Sequence, residues 1–299
     1  IRPRSYKELP LRIAEYGTCH RNESSGSLMG LMRVRAMTMN DAHIYCSVEQ
    51  IKEEFKSLIE LHKYYYSTLG INDYWITLSL RNPENDKYHG DNSMWDKAES
   101  ILKEVLIDSG INYKIENDGA AFYGPKLDFQ IKSAIDKEFT LSTCQLDFFM
   151  PEKFDLKYIN SKGENERPVC IHRSPLGTHE RFIGYLIEHF EGKFPLWLSP
   201  EQIRVLPVSN KFDDYANDIV KYFKDNNIRV KLDNDKESLN KRIRNAELAK
   251  VPYIIVIGQK EIDNNSINVR DVRNKIQKEY SIEDFGSLLK YRIENKLLD

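Results

Sequence analysis

Sulfur chemistry is scarce in this 299-residue sequence: there are four cysteines, Cys19, Cys46, Cys144 and Cys170, with no CxxC pair and no framework spacing. That excludes a disulfide scaffold and points to reduced thiols in a cytoplasmic compartment. No apolar run approaches the roughly 20 residues of a membrane span, and nothing at the start resembles a signal peptide. Charge of one sign is also missing. The net charge of −2 argues against a dedicated nucleic-acid coat protein. Repeats and low-complexity tracts are absent, and so is the HExxH helix of a zinc hydrolase. The first residue is Ile1 rather than Met, which leads us to expect part of a longer product.

What is present suffices for a substantial core, with 40% hydrophobic and 11% aromatic side chains. Length alone suggests about two domains. The best boundary is "PLWLSPEQIRVLPV", where Pro195, Pro200 and Pro207 bracket a change of pattern. From Ile203 onward Lys and Arg outnumber Asp and Glu by 19 to 16, whereas the preceding part has 25 against 30. The asymmetry is weak support for a basic patch on the C-terminal part.

Before the boundary the order is mixed. A hairpin over about 11–46 precedes a long helix, "SVEQIKEEFKSLIELHKYYYSTLG", with helical spacing of Ile51, Phe55, Leu58 and His62 and Gly70 as its C′ residue. Then come a strand "WITLSL", a helix "SMWDKAESILKEVLIDSG", two strands in "AFYGPKLDFQIKSAIDKEFTLSTCQLDFF", a strand "PVCIHRS" and a helix "THERFIGYLIEHF". This predicts an antiparallel sheet with helices against it. After the boundary, strands "IRVLPVS", "IRVKLD", "YIIVIG" and "INVRDV" alternate with helices, a compact α/β domain. Asn227 suits the end of its first helix and Ser238 the N-cap of its second.

The hairpin holds the densest chemistry. Strand parity sends Leu31, Arg33, Arg35, Met37, Met39, Asp41 and His43 to one face and Met32, Val34, Ala36 and Thr38 to the other. Arg21 and Glu23 share a face on the first strand. A solvated polar face is the plain reading. Against it stands the loop "NESSGSLMG", longer than a two-residue turn needs.

At this point the residues resemble a known family. "CHRNE", "GLMRVR" and "NDAHIYC" are similar to motif 2 of a class II aminoacyl-tRNA synthetase, specifically of the threonyl-tRNA synthetase family. "GAAFYGPKLDFQI", "CQLDF", "RPVCIHRSPLGTHERFIGYLIEHF" and "FPLWLSPEQIRVLPV" continue the resemblance in order. It implies an α+β fold, with the antiparallel sheet and flanking helices of a class II catalytic core over 1–200 and an α/β anticodon-binding domain over 201–299. It implies a threonine–tRNA ligase that uses ATP with Mg2+, L-threonine and tRNA(Thr), works in the cytoplasm and forms a homodimer when full-length.

The same resemblance assigns roles. Arg21 holds the α-phosphate, Glu23 accepts from the adenine amino group and Arg33 lies near the phosphates. Arg181 matches the motif 3 arginine, whose planar guanidinium suits both γ-phosphate and adenine; taken alone it reads as a first-turn surface arginine. Thr178 caps that helix and touches the nucleotide. His43 and His172 match two of three Zn2+ ligands, the third being a cysteine expected upstream of this chain. On pattern alone each reads as a satisfied core histidine. Asp41 accepts hydrogen bonds from bound threonine, Tyr123 closes over it, and Lys126 and Gln145 contact phosphate and aminoacyl groups. Arg244, Lys250, Glu261 and Arg270 align with positions that read the anticodon, and a helix bearing Lys241, Arg242 and Arg244 serves phosphate. An ordinary solvated helix face is the alternative for "KRIR".

The sequence departs from the family at several positions. Motif 1 and the N-terminal editing domains are not in this chain. Met37 stands where an aromatic ring stacks on adenine, Met39 and Thr140 where glutamines are usual, and Lys250 where an arginine is usual. Cys170 shares a strand face with His172, at a position that is aliphatic in the family. These departures keep open a rival of another class, a synthetase-like protein that binds tRNA or threonine without catalysis.

Overall fold

A computed structural model describes residues 2–133 and 136–298. They divide into two compact units between Tyr185 and Leu186.

In the first unit the strands are β1 (Arg4–Ser5), β2 (Leu11–His20), β3 (Ala36–Cys46), β4 (Tyr74–Leu80), β5 (Tyr113–Asn117), β6 (Lys126–Lys132), β7 (Glu138–Asp147), β8 (Tyr158–Ile159), β9 (Asn165–Glu166) and β10 (Val169–Ser174). The helices are α1 (Ile51–Thr68), α2 (Asn92–Ser109), α3 (Met150–Lys153) and α4 (His179–His189), the last of which runs across the division. A seven-stranded sheet has the order β2-β3-β10-β7-β6-β4-β5. Its pairs are antiparallel except β4 with β5. A small sheet, β1-β8-β9, stands apart.

Parity sorts the large sheet into two faces. Ala42, Ile44, Ile76, Leu78, Leu127, Phe129, Cys144 and Ile171 are buried and give an apolar face that needs covering. α1 supplies Ile51, Phe55, Leu58, Ile59, His62 and Tyr66, buried at helical spacing. Its His62 ring stacks on Phe129 with 4.0 Å between centroids. Gly70, with φ of +68°, ends α1 in the left-handed conformation expected of it. The opposite face keeps its polar side chains.

The hairpin differs from its sequence reading. β2 stops at His20 and β3 begins at Ala36, so Arg21, Glu23, Leu31, Arg33 and Arg35 belong to the connection and strand parity does not order them. The connection folds onto itself instead. Arg33 Nε donates to Glu23 Oε2 at 3.0 Å, Arg35 Nε to the Glu23 carbonyl at 2.9 Å, and Arg21 N to the Arg35 carbonyl at 2.8 Å.

The second unit comprises β11 (Ile203–Pro207), α5 (Asp213–Asp225), β12 (Val230–Leu232), α6 (Leu239–Leu248), β13 (Tyr253–Ile257), α7 (Gln259–Asp263), β14 (Ile267–Asp271), β15 (Ile276–Tyr280) and α8 (Ile282–Glu294). Its sheet has the order β12-β11-β13-β14-β15, parallel through the first three strands and antiparallel beyond. Ile203, Val205, Ile255 and Val269 pack with Phe223 of α5 and Phe285 of α8. Leu206 and Ile254 pack with Ala246 of α6. A sheet sandwiched this way reads as continuous apolar strands, as "YIIVI" does. Asn227 takes φ of +59° just past α5, and Ser238 is the N-cap of α6.

Candidate active site

The polar face of the large sheet is built by register. Ile13 pairs with His43, His43 with His172, His172 with Gln145, Gln145 with Lys126, Lys126 with Ser79, and Ser79 with Glu116. Directly paired residues share a face, so one transverse row brings together groups far apart in the chain. His43 and His172 meet edge to face with 4.8 Å between ring centroids. Burial, with His172 adding to it, lowers the pKa of His43 from the ordinary imidazole value, which favours the neutral ring, while Asp41 and Glu15 act the other way. Asp41 lies two residues from His43 on the same face.

Tyr123 approaches from the turn before β6. Its hydroxyl donates to Gln145 Oε1, and its ring lies 5.7 Å from that of His172. Burial, followed by the charges of Asp147 and Asp128, pushes its hydroxyl up to about 12. The turn demands Gly124, where an added Cβ would fall 1.9 Å from the Leu146 carbonyl oxygen. Lys126 Nζ pairs with Asp128, which also accepts from Thr143 Oγ1 at 2.8 Å.

A second cluster adjoins α4. Thr178 Oγ1 accepts from Arg181 N at 3.2 Å, the N-cap geometry expected of it. Glu180 binds the Thr38 N–H with both oxygens, at 3.1 and 3.0 Å, and Asn40 N donates to the Gly177 carbonyl at 3.2 Å. The start of the helix is thereby held against β3. Arg181 Nε donates to the Met32 carbonyl at 3.1 Å, and Nη1 reaches the Thr140 carbonyl at 3.5 Å. Burial, then the like charges of Arg21 and Arg33, lower its pKa, while Glu23 acts the other way. Three guanidinium groups thus repel one another with one carboxylate among them, an arrangement that a polyanionic ligand relieves. Met37 is buried, and Met39 forms an isolated bridge with Thr178.

Residues 1–190 match the class II tRNA synthetase core domain (G, H, P, S and T), and residues 202–292 match an anticodon-binding domain. A threonine–tRNA ligase of Oceanobacillus iheyensis is 47% identical over 98% of this chain and 46% of its own length. One of Staphylococcus carnosus is 49% identical over 95% of this chain and 44% of its own length. The solved RNA binding domain of threonyl-tRNA synthetase from Cryptosporidium parvum superposes with a TM-score of 0.87 at 35% identity, covering 96% of this chain and 71% of that one. This chain belongs to the threonyl-tRNA synthetase family. It spans about half the length of the curated relatives it matches.

In this synthetase core the expected site residues fall into two groups, the Arg21–Glu23–Arg33–Arg181–Thr178 cluster and the row carrying His43, His172, Gln145 and Lys126 beside Asp41 and Tyr123. Asp147 went unremarked in the sequence, although it follows Gln145 by two residues within the quoted "CQLDF" and parity puts it on the same face. Two imidazoles are fewer donors than the three protein ligands of a catalytic zinc site. Among the described residues no group of three or more His, Cys, Asp or Glu side chains is arranged to hold a metal.

In the anticodon-binding domain the expected residues differ in setting. Arg244 is exposed on α6, and Arg270 on β14 pairs with Glu247 of α6 at 2.9 Å. Lys250 lines a cavity of about 200 Å3 with Glu247, Tyr253, Arg273 and Lys275. Glu261 is buried and accepts from the Gly258 N–H at 2.9 Å, capping α7. Arg242 departs from the phosphate-facing reading of "KRIR". It is buried and donates to the carbonyls of Asp233 at 2.7 Å and Pro207 at 2.8 Å.

Proposed function

We propose that the protein carrying this chain is a threonine–tRNA ligase. A threonine carboxylate oxygen attacks the α-phosphorus of ATP, the bond to the β-phosphate breaks, and pyrophosphate leaves with threonyl-adenylate behind. A hydroxyl at the tRNA 3′ end then attacks the carbonyl and AMP departs. The observation that carries this reading is the gathering of Arg21, Arg33 and Arg181 beside the sheet face that holds His43, His172 and Asp41.

Each residue then has a task. Arg21 bears on the α-phosphate, where charge develops in the transition state. Arg181, fixed through Nε, offers its plane to adenine and its charge to the γ-phosphate, with Mg2+ accompanying the nucleotide. Glu23 accepts from the adenine amino group, Arg33 and Lys126 neutralise phosphate oxygens, and Thr178 lies against the nucleotide. Asp41 and Gln145 orient the threonine, and Tyr123 covers it. His43 and His172 fit Zn2+ as two of its donors, with a third from outside the described residues; when bound, the ion supplies Lewis-acid recognition of the threonine amino and hydroxyl groups. Arg244, Lys250, Glu261 and Arg270 serve the anticodon. We place the domain division in the Pro-bracketed segment, giving 1–200 and 201–299, downstream of the Tyr185/Leu186 division between the compact units; the break between the two family matches, from 190 to 202, supports it. A homodimer in the cytoplasm completes the reading, and the four free thiols suit such a compartment.

ATP–pyrophosphate exchange on the intact gene product tests it. Exchange is expected with threonine and, weakly, with serine, while a site built around a hydroxyl rejects valine by roughly 10⁴–10⁵. No exchange with threonine, or equal exchange with valine, overturns the reading.

A further inference from the structure

Asp147 closes β7, and its side chain is 1% exposed. A carboxylate at that depth is costly unless its oxygens are satisfied. Oδ1 accepts the backbone N–H groups of Phe149 at 2.9 Å and Met150 at 2.8 Å, turning the chain into α3. Oδ2 lies 2.7 Å from His172 Nε2. With Oδ1 already accepting twice and Oδ2 aimed at the ring, the carboxylate stands as the acceptor of the pair and Nε2 as its donor. In a neutral imidazole the other nitrogen then carries the lone pair. Among the described residues that nitrogen, Nδ1, has no hydrogen-bond partner.

We propose that Asp147 is a positioning residue that locks His172 as its Nε2–H tautomer, so that Nδ1 offers its lone pair to a metal cation beside His43. The inference rests on the zinc reading above. A carboxylate behind a metal-binding histidine fixes the ring and raises its basicity, and losing it costs about 10–100-fold in metal affinity.

The doubly employed carboxylate makes Asp147→Asn decisive. The amide has a single oxygen, and the N–H groups of half-buried Phe149 and Met150 claim it, because leaving them unpaired costs up to about 1–3 kcal/mol each. The NH2 group is then turned to His172. Nε2 must accept, the proton moves to Nδ1, and the lone pair is lost from the site.

The first test is 15N NMR of the histidine-labelled chain at pH 8, above the ordinary imidazole value of about 6.5. His172 signals are assigned by their loss in His172→Gln. The wild type is expected to show a protonated Nε2 and a bare Nδ1, and Asp147→Asn the reverse, with an unchanged circular dichroism spectrum. A wild-type ring protonated on Nδ1 overturns the proposal even if the variant fails to fold. A folded variant with an unchanged tautomer overturns it too. Zinc affinity of the intact gene product, measured against a competing chelator, is expected to fall about 10–100-fold in Asp147→Asn; equal affinity despite an inverted ring refutes the link to the metal. Should the wild type bind no zinc while the ring inverts as expected, the zinc reading fails and the orienting role of Asp147 stands.

Discussion

Arg181 shows how much a single side chain can be asked to do. Its Nε is held by a backbone carbonyl, and its charge sits among other cations. Arg181→Ala is expected to lower threonine-dependent pyrophosphate exchange by at least about 10²–10³-fold while filter binding of tRNA stays near wild type. Loss of both would mean that motif 3 is misassigned. His62 offers a pH readout of a different kind. It is fully buried, donating from Nδ1 to the Leu58 carbonyl at 2.7 Å, and burial lowers its pKa to about 4. The unfolded chain, near 6.5, binds its proton first as pH falls. The neutral ring's contribution is therefore intact above pH 6.5 and is lost progressively towards pH 4, by roughly 3 kcal/mol at about 1.4 kcal/mol per pKa unit. Urea melts of His62→Phe across that range should have a shallower pH slope than the wild type; parallel slopes would contradict a neutral buried His62. His43 and His172 lie 129 positions apart, and no local spacing announces them as neighbours. The family resemblance pointed to the pair, and strand register supplies the physical reason.

At the scale of elements, the joint between β3 and α4 depends on a tight turn. Gly177 has φ of +60°, and a Cβ there would fall 2.4 Å from the Leu141 carbonyl oxygen. Gly177→Ala should cost at least about 1–3 kcal/mol in thermal or urea unfolding and slow adenylate formation by displacing Thr178 and Arg181. A neutral substitution would show that the turn relaxes freely. Long elements with one apolar face were legible: α1 announced itself by Ile51, Phe55 and Leu58, and β13 by "YIIVI". The edge strands β5, "YKIEN", and β15, "IQKEY", were missed because they are largely exposed: the first alternates only over Tyr113 and Ile115, and the second carries no apolar alternation. The hairpin connection misled for the opposite reason. Its alternating Arg33 and Arg35 mimic a strand, yet both bind Glu23 inside a folded loop.

On the proposed reading, adenylate chemistry falls to one unit and RNA reading to the other, so mutations should separate the two steps. Arg270→Ala is expected to weaken tRNA charging with pyrophosphate exchange unchanged; equal losses in both would count against an anticodon role. Two arginines of α6 should likewise part company. Arg242→Ala removes a buried donor from two carbonyls and should destabilise by about 1–3 kcal/mol, whereas exposed Arg244→Ala should stay within about 0.5 kcal/mol and instead raise the Kd for tRNA. Chemical melts and tRNA titrations on both variants decide this. The transverse row across the first unit's sheet also limits how the gene can drift. A codon inserted between Met39 and His43 would turn the imidazole towards α1 and drive Ala42 or its neighbour outward, since every side chain beyond the insertion changes sides. Paired insertions preserve the pattern. In this stretch, viable length changes should therefore accumulate in even steps, or move to the loops at either end.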